Sequence, residues 1–387
     1  MSELLEMVIV DDETRVTQSL EREIRLEFGT DTFGIVTFNS PLDALTWIRA
    51  NNSRIFLVIS DLRMPEMDGS ELLELIRADC PDIQTILLTA YTDTDNIQRA
   101  VSASIQSLLF KPWTKDRITA EVGKAMKLWR LNRENQQLRF RIDDLLRSAG
   151  AFQRSLFSQA IPESNTVSFS VSFNPHEEYH CGGDFYDILP DEEGAYMIIL
   201  GDVTGHGPKP AMIAGMVKTA IHSIIESDRS LRSAPDRLLK RLNDQFCAMF
   251  ACSPETLIAL SAVHLSPARQ VLAVATAGLP AVVHLRHGRP EALRTPNHIL
   301  GAFPDTEFYK IERFLQPGDH IIMYTDGLVE SIPSFFTVEP DAVTAALSGM
   351  ADYSAQAISD HFLAKLPGAT FTDDVTVLSL EMLPGKS

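Results

Sequence analysis

The chain reads as a multidomain protein, α/β at its N-terminal end and α+β at its C-terminal end, joined by a long helix. Three patterns predict this. Short apolar runs alternate with helix-like segments over residues 1–122, a proline-free stripe of 3-4 spacing fills 123–158, and alternating strands with two helical stretches occupy 159–387. These three spans are the predicted domains.

At 387 residues the chain is long enough for two domains with separate cores, and 45% hydrophobic with 22% charged residues is an ordinary globular composition. A formal net charge of −18 opposes a general nucleic-acid footprint, because phosphate backbones are bound by basic faces. No run of about 18 apolar residues stands ready to span a bilayer, and MSELLEMVIVDDE lacks the basic start and apolar run of a signal peptide. A cytoplasmic protein with no membrane or direct nucleic-acid partner is expected. Cys80, Cys181, Cys247 and Cys252 show no CxxC spacing, which fits a reducing compartment, and Cys181 is expected to pack without chemistry.

In the first span, MVIV (7–10), FGIVTF (33–38), IFLVIS (55–60), TILLT (85–89) and SLLF (107–110) read as strands, each followed by an amphipathic segment. Repeated βα units make a doubly wound parallel sheet, whose ligands bind beyond the carboxyl ends of the strands. Asp11, Asp12, Asp61, Thr89 and Lys111 fall at those ends. Three carboxylates so close repel one another unless a hard cation lies between them, and Mg²⁺ with oxygen ligands suits them. A lysine and a hydroxyl alongside suit an incoming phosphoryl group.

The strings DDE at 11, DLRMPEMDG at 61, LTA at 88 and KPW at 111 resemble the (βα)5 receiver domains of two-component signalling. The resemblance implies that Asp61 accepts the phosphoryl group, that Asp11, Asp12 and Asp61 hold Mg²⁺ with the Arg63 carbonyl, and that Thr89 and Lys111 contact the phosphoryl oxygens. It also implies a cis Lys111–Pro112 bond and a sensor histidine kinase or phosphotransfer protein as partner. The sequence departs from the family at Leu108, where receivers usually carry an aromatic switch residue, with Tyr91 a candidate substitute.

The middle stripe runs through Leu128, Leu131, Asn135, Leu138, Ile142, Leu145, Ala149, Phe152 and Leu156 in heptad phase. It predicts a coiled-coil linker and a homodimer, with Asn135 fixing register; a single helix packed on its own domains is the alternative.

In the last span, strands VSFSVSF, AYMIILGDV, LIALSAVHL, VLAVATA, HIIMYTDG and VTVLSL are interrupted by helical stretches near 209–226 and 234–251, as packed sheets flanked by helices would be. Carboxylates again end strands or sit in glycine-rich turns: Asp184 in GGDFYD, Asp202 in GDVTGHG, Asp326 in YTDGL, and Asp373 with Asp374 in TDDVTV. Their order and spacing resemble the PPM metal-dependent serine/threonine phosphatases, in the SpoIIE and RsbU branch. That family's β-sandwich flanked by helices gathers two Mn²⁺ or Mg²⁺ ions. Carried over, Asp202 bridges both ions, Asp326 and Asp373 bind one, Asp184 supports the other, and the Val203 carbonyl adds a ligand. Asp374 has no firm role, and His206 is a loop residue or, alternatively, a general acid. Gly182, Gly183, Gly205 and Gly207 let the backbone approach the ions. Pro208 and Pro210 depart from the small residues usual there, but proline is tolerated in a first helical turn.

The whole arrangement resembles RssB-type response regulators. It implies a phosphatase acting on a phosphorylated STAS-type anti-sigma-factor antagonist or, alternatively, an adaptor binding a sigma factor or anti-sigma partner without turnover.

Overall fold

The structure is a computed structural model that describes residues 4–90, 107–157, 161–176, 179–250, 256–332, 342–350, 353–366 and 373–384. It divides into two compact units, Met1–Arg141 and Ile142–Ser387. The boundary falls inside the helix that the sequence assigns to the linker.

The N-terminal unit is a five-stranded parallel sheet in the order β2-β1-β3-β4-β5, formed by Glu6–Val10, Gly34–Phe38, Ile55–Asp61, Gln84–Ala90 and Ser107–Lys111. Buried on both faces, its central strands read as continuous apolar runs, and every residue of β3 is buried. Successive side chains point to opposite faces. Accordingly Leu57 and Ile59 enter one core with Leu20 and Ile24 of α1 (Thr14–Phe28), while Val58 enters another with Ile48 of α2 (Pro41–Asn51) and Leu72 of α3 (Gly69–Asp79). The helical segment expected between β4 and β5, and Tyr91, lie outside the described residues. Leu108 is half-buried and packs against the second core.

Helix α4 runs unbroken over Lys115–Phe157, as the lack of proline allows. Its first turns are part of the N-terminal unit, because Ile118, Val122, Ala125, Met126 and Trp129 are buried in that unit's core. Arg133 donates to the Ser53 carbonyl at 2.9 Å and Gln136 to Asp82 at 2.7 Å. The heptad residues lie on another face: Leu138, Ile142, Leu145 and Phe152 are 54%, 56%, 69% and 65% exposed.

The C-terminal unit has two five-stranded antiparallel sheets, β13-β10-β9-β8-β7 and β12-β11-β14-β15-β6. Their strands are β6 Val167–Asn174, β7 Phe185–Pro190, β8 Tyr196–Val203, β9 Ile258–Ser266, β10 Val271–Ala277, β11 Val282–Arg286, β12 Arg289–Leu293, β13 Ile311–Phe314, β14 His320–Tyr324 and β15 Val375–Met382. Alternation explains the layers. Ile198 and Leu200 of β8 face Leu378 and Leu380 of β15 in the core between the sheets, and Met197 and Ile199 point outward under helices α5 (Pro208–Ser227) and α6 (Pro235–Phe250). On the other side Val375 and Val377 pack beneath α7 (Asp326–Ser331), α8 (Ala342–Ala346) and α9 (Ala355–Leu363). This is the sandwich flanked by helices that the sequence predicts. Strands β7, β11, β12 and β13 were not legible, since they are short and lie beside turns.

Pro208 occupies the first turn of α5, where its missing N–H costs nothing. Cys80, Cys181 and Cys247 are buried and form no disulfide, and Cys252 lies outside the described residues. Among the described residues no helix is long and apolar enough to cross a membrane.

Candidate functional site

The parallel register of the N-terminal sheet brings Asp11, Asp61 and Lys111 into contact and sets Thr89 on the neighbouring strand end. Asp11 and Asp12 follow β1, Asp61 ends β3, Thr89 lies near the end of β4, and Lys111, paired with Ala90, ends β5. Lys111 Nζ lies 2.8 Å from Asp11 Oδ2 and also pairs with Asp61 Oδ1. Asp11 is fully buried and Asp61 is 8% exposed, whereas Asp12 and Arg63 are exposed. Burial pushes the Asp11 carboxyl up, against the pull of Lys111; burial would lower Lys111, but Asp11 and Asp61 outweigh it and hold the ammonium charged. The Arg63 N–H donates to Asp61 Oδ2 at 3.1 Å, which turns the β3–α3 loop back over the carboxylate. The Lys111–Pro112 bond is cis. Buried acids, a paired lysine and a threonine at the carboxyl edge of a parallel sheet have the chemistry that could hold a hard cation and a phosphoryl group.

In the C-terminal unit the acidic residues come from both sheets. Asp184 precedes β7, Asp202 and Val203 end β8, Asp326 opens α7 after β14, and Asp373 with Asp374 precede β15. Asp184 is 1% exposed, and its Oδ2 accepts the Thr325 hydroxyl at 2.9 Å and the Thr376 hydroxyl at 2.6 Å, which ties one sheet to the other. Burial, then Asp202 and Asp374, raise Asp184 well above the carboxylate range. Burial followed by repulsion from Asp326, Asp373, Asp374 and Glu330 lifts Asp202 to about 8. Asp326 and Asp373 are raised for the same reasons. The basic groups acting on Asp373 are His206 and His176.

Glycine is required at two of these positions. A Cβ on Gly182 would collide with the Asp374 carboxylate, and one on Gly183 with the Val203 carbonyl. Asp374 organises this loop: it is 2% exposed, and its Oδ1 accepts the His176 N–H at 2.7 Å. The His206 ring stacks on Tyr179, with centroids 4.7 Å apart and planes 19° apart.

Four contributors escape sequence reasoning. Thr325 and Thr376 lie inside the quoted motifs but read as ordinary strand-end residues. Glu330 stands four residues after Asp326 on α7, one helical turn away, and that spacing was the available signal. Gln153 gave none. It is 4% exposed, donates to the Gly182 carbonyl at 2.7 Å and accepts the Gly182 N–H at 3.1 Å, so the end of α4 grips the loop that carries Asp184. Asp143, nearer the middle of the helix, meets His180 at 3.2 Å.

Divalent ions fit this donor set. A cluster of carboxylates that raise one another's proton affinity is a cluster that a cation would relieve, and oxygen donors select Mg²⁺ or Mn²⁺. Among the described residues no three acidic, histidine or cysteine side chains stand close enough to share one ion as placed. Mg²⁺ does not need three, since it keeps several waters and is commonly held by one or two carboxylates.

Residues 7–123 match the response regulator receiver domain family, and residues 192–383 match the family of stage II sporulation protein E, SpoIIE. The SiaA PP2C domain of Pseudomonas aeruginosa is 22% identical, covering 63% of this chain and 98% of its own with a TM-score of 0.53, and so shares the fold. The RsbU and RsbW domains of a Mycobacterium tuberculosis protein are 21% identical over 57% of this chain and 61% of theirs, with a TM-score of 0.48. The C4-dicarboxylate transport transcriptional regulatory protein DctD of Rhizobium meliloti is 31% identical over 139 residues, 36% of this chain and 29% of DctD. The chain thus spans less than a third of that curated relative.

Proposed function

Because the chain joins a response regulator receiver domain to a SpoIIE-type domain of the PPM phosphatase family, we propose that it is a two-component response regulator in which Asp61 phosphorylation controls hydrolysis of phosphoserine or phosphothreonine on a protein. The observation that carries this reading is the convergence of strand-end carboxylates that lifts Asp202 to about 8. So much uncompensated negative charge is built to meet cations.

In this reading Asp202, Asp326, Asp373 and Asp184, with the Val203 carbonyl, would hold two Mn²⁺ or Mg²⁺ ions, Asp202 being shared between them. When bound, such a pair supplies Lewis-acid stabilisation of charge on a phosphoryl group. The chain's own residues supply the positioning. Thr325 and Thr376 fix the rotamer of Asp184, Gly182 and Gly183 let the loop close on the carboxylates, and His206, steadied by Tyr179, offers a ring at the rim.

At the receiver, Asp11, Asp12 and Asp61 with the Arg63 carbonyl would hold Mg²⁺, and Asp61 would take the phosphoryl group from a sensor kinase or phosphotransfer protein. Thr89 and Lys111 then bind its oxygens, with Lys111 giving up its pairing to Asp61. The exposed heptad face of α4 fits a homodimer through the linker. The protein substrate is read as a phosphorylated STAS-type anti-sigma-factor antagonist, and the site of action as the cytoplasm, where two-component phosphoryl donors work.

Phosphate release from a phosphoserine protein, measured with Mn²⁺ and with and without acetyl phosphate, tests the reading. Turnover that responds to the donor in the wild type and not in Asp61→Asn is expected. Turnover indifferent to the donor sinks the regulatory claim, and metal-independent or absent turnover transfers the protein to the adaptor reading.

A further inference from the structure

The motif GGDFYD carries a second carboxylate that the ligand set leaves out. Asp187 lies three residues after Asp184 on β7, pairs with Ile199 of β8 and is 1% exposed. Strand alternation puts it on the face of Phe185, beneath the helices and away from the core between the sheets. Its Oδ1 accepts the Ile188 N–H at 3.0 Å. Its Oδ2 accepts a hydrogen bond from His222 Nε2 at 2.6 Å and stands 3.6 Å from Lys218 Nζ, both on α5. Lys218 is 7% exposed and donates to the Tyr186 carbonyl at 3.3 Å. The ring of Phe157, the last residue of α4, covers its ammonium at 5.4 Å.

A buried ion pair of this kind is a poor source of stability. Desolvation outweighs the pull of Asp187, so the Lys218 ammonium is drawn below its ordinary value. Well-packed apolar groups in place of such a pair commonly leave a fold as stable or more so. What a buried polar pair does supply is register. The neighbouring buried residues of α5 are aliphatic, among them Ile213, Ala214, Val217, Ile221 and Ile225. Contacts of that sort specify volume before they specify a unique arrangement, and so resist a small slide or turn of the helix only weakly. Lys218 and His222, four residues apart and therefore one above the other on the helix, meet a single carboxylate and allow one placement.

That placement reaches the cluster because α5 begins where the GHG turn ends. Val203, whose carbonyl belongs to the proposed ligand set, closes β8, and Gly207, with φ of 88°, precedes Pro208 at the head of α5. Lys218 stands about 15 Å further along the helix axis. Within the turn, His206 bridges to Gly182 of the loop that carries Asp184. Tyr179 of the same loop packs on the turn, 3.3 Å from where a Cβ on Gly207 would stand. A slide of α5 would therefore pull on the GHG turn and, through Gly182, on the loop that carries Asp184.

We propose that Asp187 is a positioning residue for the metal cluster, which through Lys218 and His222 fixes the register of α5 on β7 and with it the GHG turn. This deepens the phosphatase reading and rests on its metal site.

Calorimetric titration of the full chain with Mn²⁺ tests the proposal, the receiver's ion being common to every variant. Lys218→Met, which keeps an unbranched side chain and removes its charge, is expected to weaken Mn²⁺ binding at the cluster about tenfold, the equivalent of 1.4 kcal/mol. Asp187→Val combined with Lys218→Met replaces the pair by apolar groups. It should melt no lower than wild type, yet still bind Mn²⁺ about tenfold more weakly, because register and not stability is lost. Wild-type affinity in Lys218→Met, or affinity restored in the double variant, would overturn the proposal and leave Asp187 a structural residue. A double variant that melts well below wild type shows the pair to be a source of stability, which refutes the proposal as well. If Asp202→Asn leaves Mn²⁺ binding unchanged, the wild type holds no ion at the cluster, and the phosphatase reading and this one fall together. Mn²⁺ bound at the cluster without phosphate release refutes the phosphatase reading alone, since the calorimetry decides the register of α5 without turnover.

Discussion

Both units gather buried carboxylates at the ends of strands, yet they treat the charge differently. In the receiver pocket Lys111 lies between Asp11 and Asp61, so the protein supplies its own counter-ion. In the phosphatase cluster the groups pressing on Asp202 are further carboxylates, and its affinity for a proton climbs to about 8. On the proposed reading an arriving phosphoryl group would disturb the balance of the first pocket. The second would be relieved by arriving cations. A resident lysine suits a reversible switch, and an unpaired cluster suits recruitment of metal.

The largest expected effect breaks the second half of that contrast. Asp202→Asn should lower Mn²⁺-dependent phosphate release by more than the ~100-fold attributed to groups that merely support metal ligands. In chelator at pH 8 the same variant should melt higher than wild type, since it removes a carboxylate from a mutually repelling set; a lower melting temperature would show that the cluster is not strained.

Next comes the receiver. Lys111→Met leaves Asp11 buried without its partner, and should cost about 2–3 kcal/mol by denaturant unfolding, somewhat below the ~3–5 kcal/mol of a fully buried pair because the lysine is partly exposed. An unchanged midpoint would mean that Asp11 relaxes into solvent.

The pH dependence sharpens the comparison. The folded value of Asp202 stands above the ordinary carboxylate value of 3.8, so the stability it contributes is full below that value and is lost as pH rises through about 8. Chelated protein should therefore lose melting temperature across that range, and saturating Mn²⁺ should flatten the slope. Asp319 of the same unit has the opposite sign. Burial pushes it up, but His284, Arg286 and the Gln316 N–H hold it at about 2, so its contribution is present above 3.8 and disappears as pH falls through about 2.

The smallest effect concerns Gln153. Gln153→Ala leaves both hydrogen-bonding groups of Gly182 without this partner, and should lower turnover several-fold with a loss of about 1–2 kcal/mol in stability. Full turnover in that variant would remove the end of α4 from the account of how the loop is positioned.

The strand ends that carry the candidate site residues were legible in the sequence because motifs record local geometry. The runs at 55–60 and 85–89 had to be strands buried on both faces, and Asp61 and Thr89 had to lie at their carboxyl ends. GGD and GHG announced close backbone approach, and Gly182 and Gly183 confirm it against Asp374 and Val203. The heptad stripe was read as the face that packs, but within the N-terminal unit α4 packs through Ile118, Val122, Met126 and Trp129, while Leu138, Ile142 and Leu145 stay exposed. Periodicity states which residues share a face and is silent on what covers it.

The sequence by itself determined the order of domains, the strand ends that carry acids, and the glycines those acids need, since each depends on neighbours a few residues away. Only the tertiary structure decided that Thr325 and Thr376 hold Asp184, that Asn243 braces Phe303, and that Gln153 grips Gly182. Those contacts join residues from 29 to 192 positions apart, and a buried hydrogen bond across such a distance is specified by how the layers pack and by the cost of leaving a polar group dry, which no local spacing encodes.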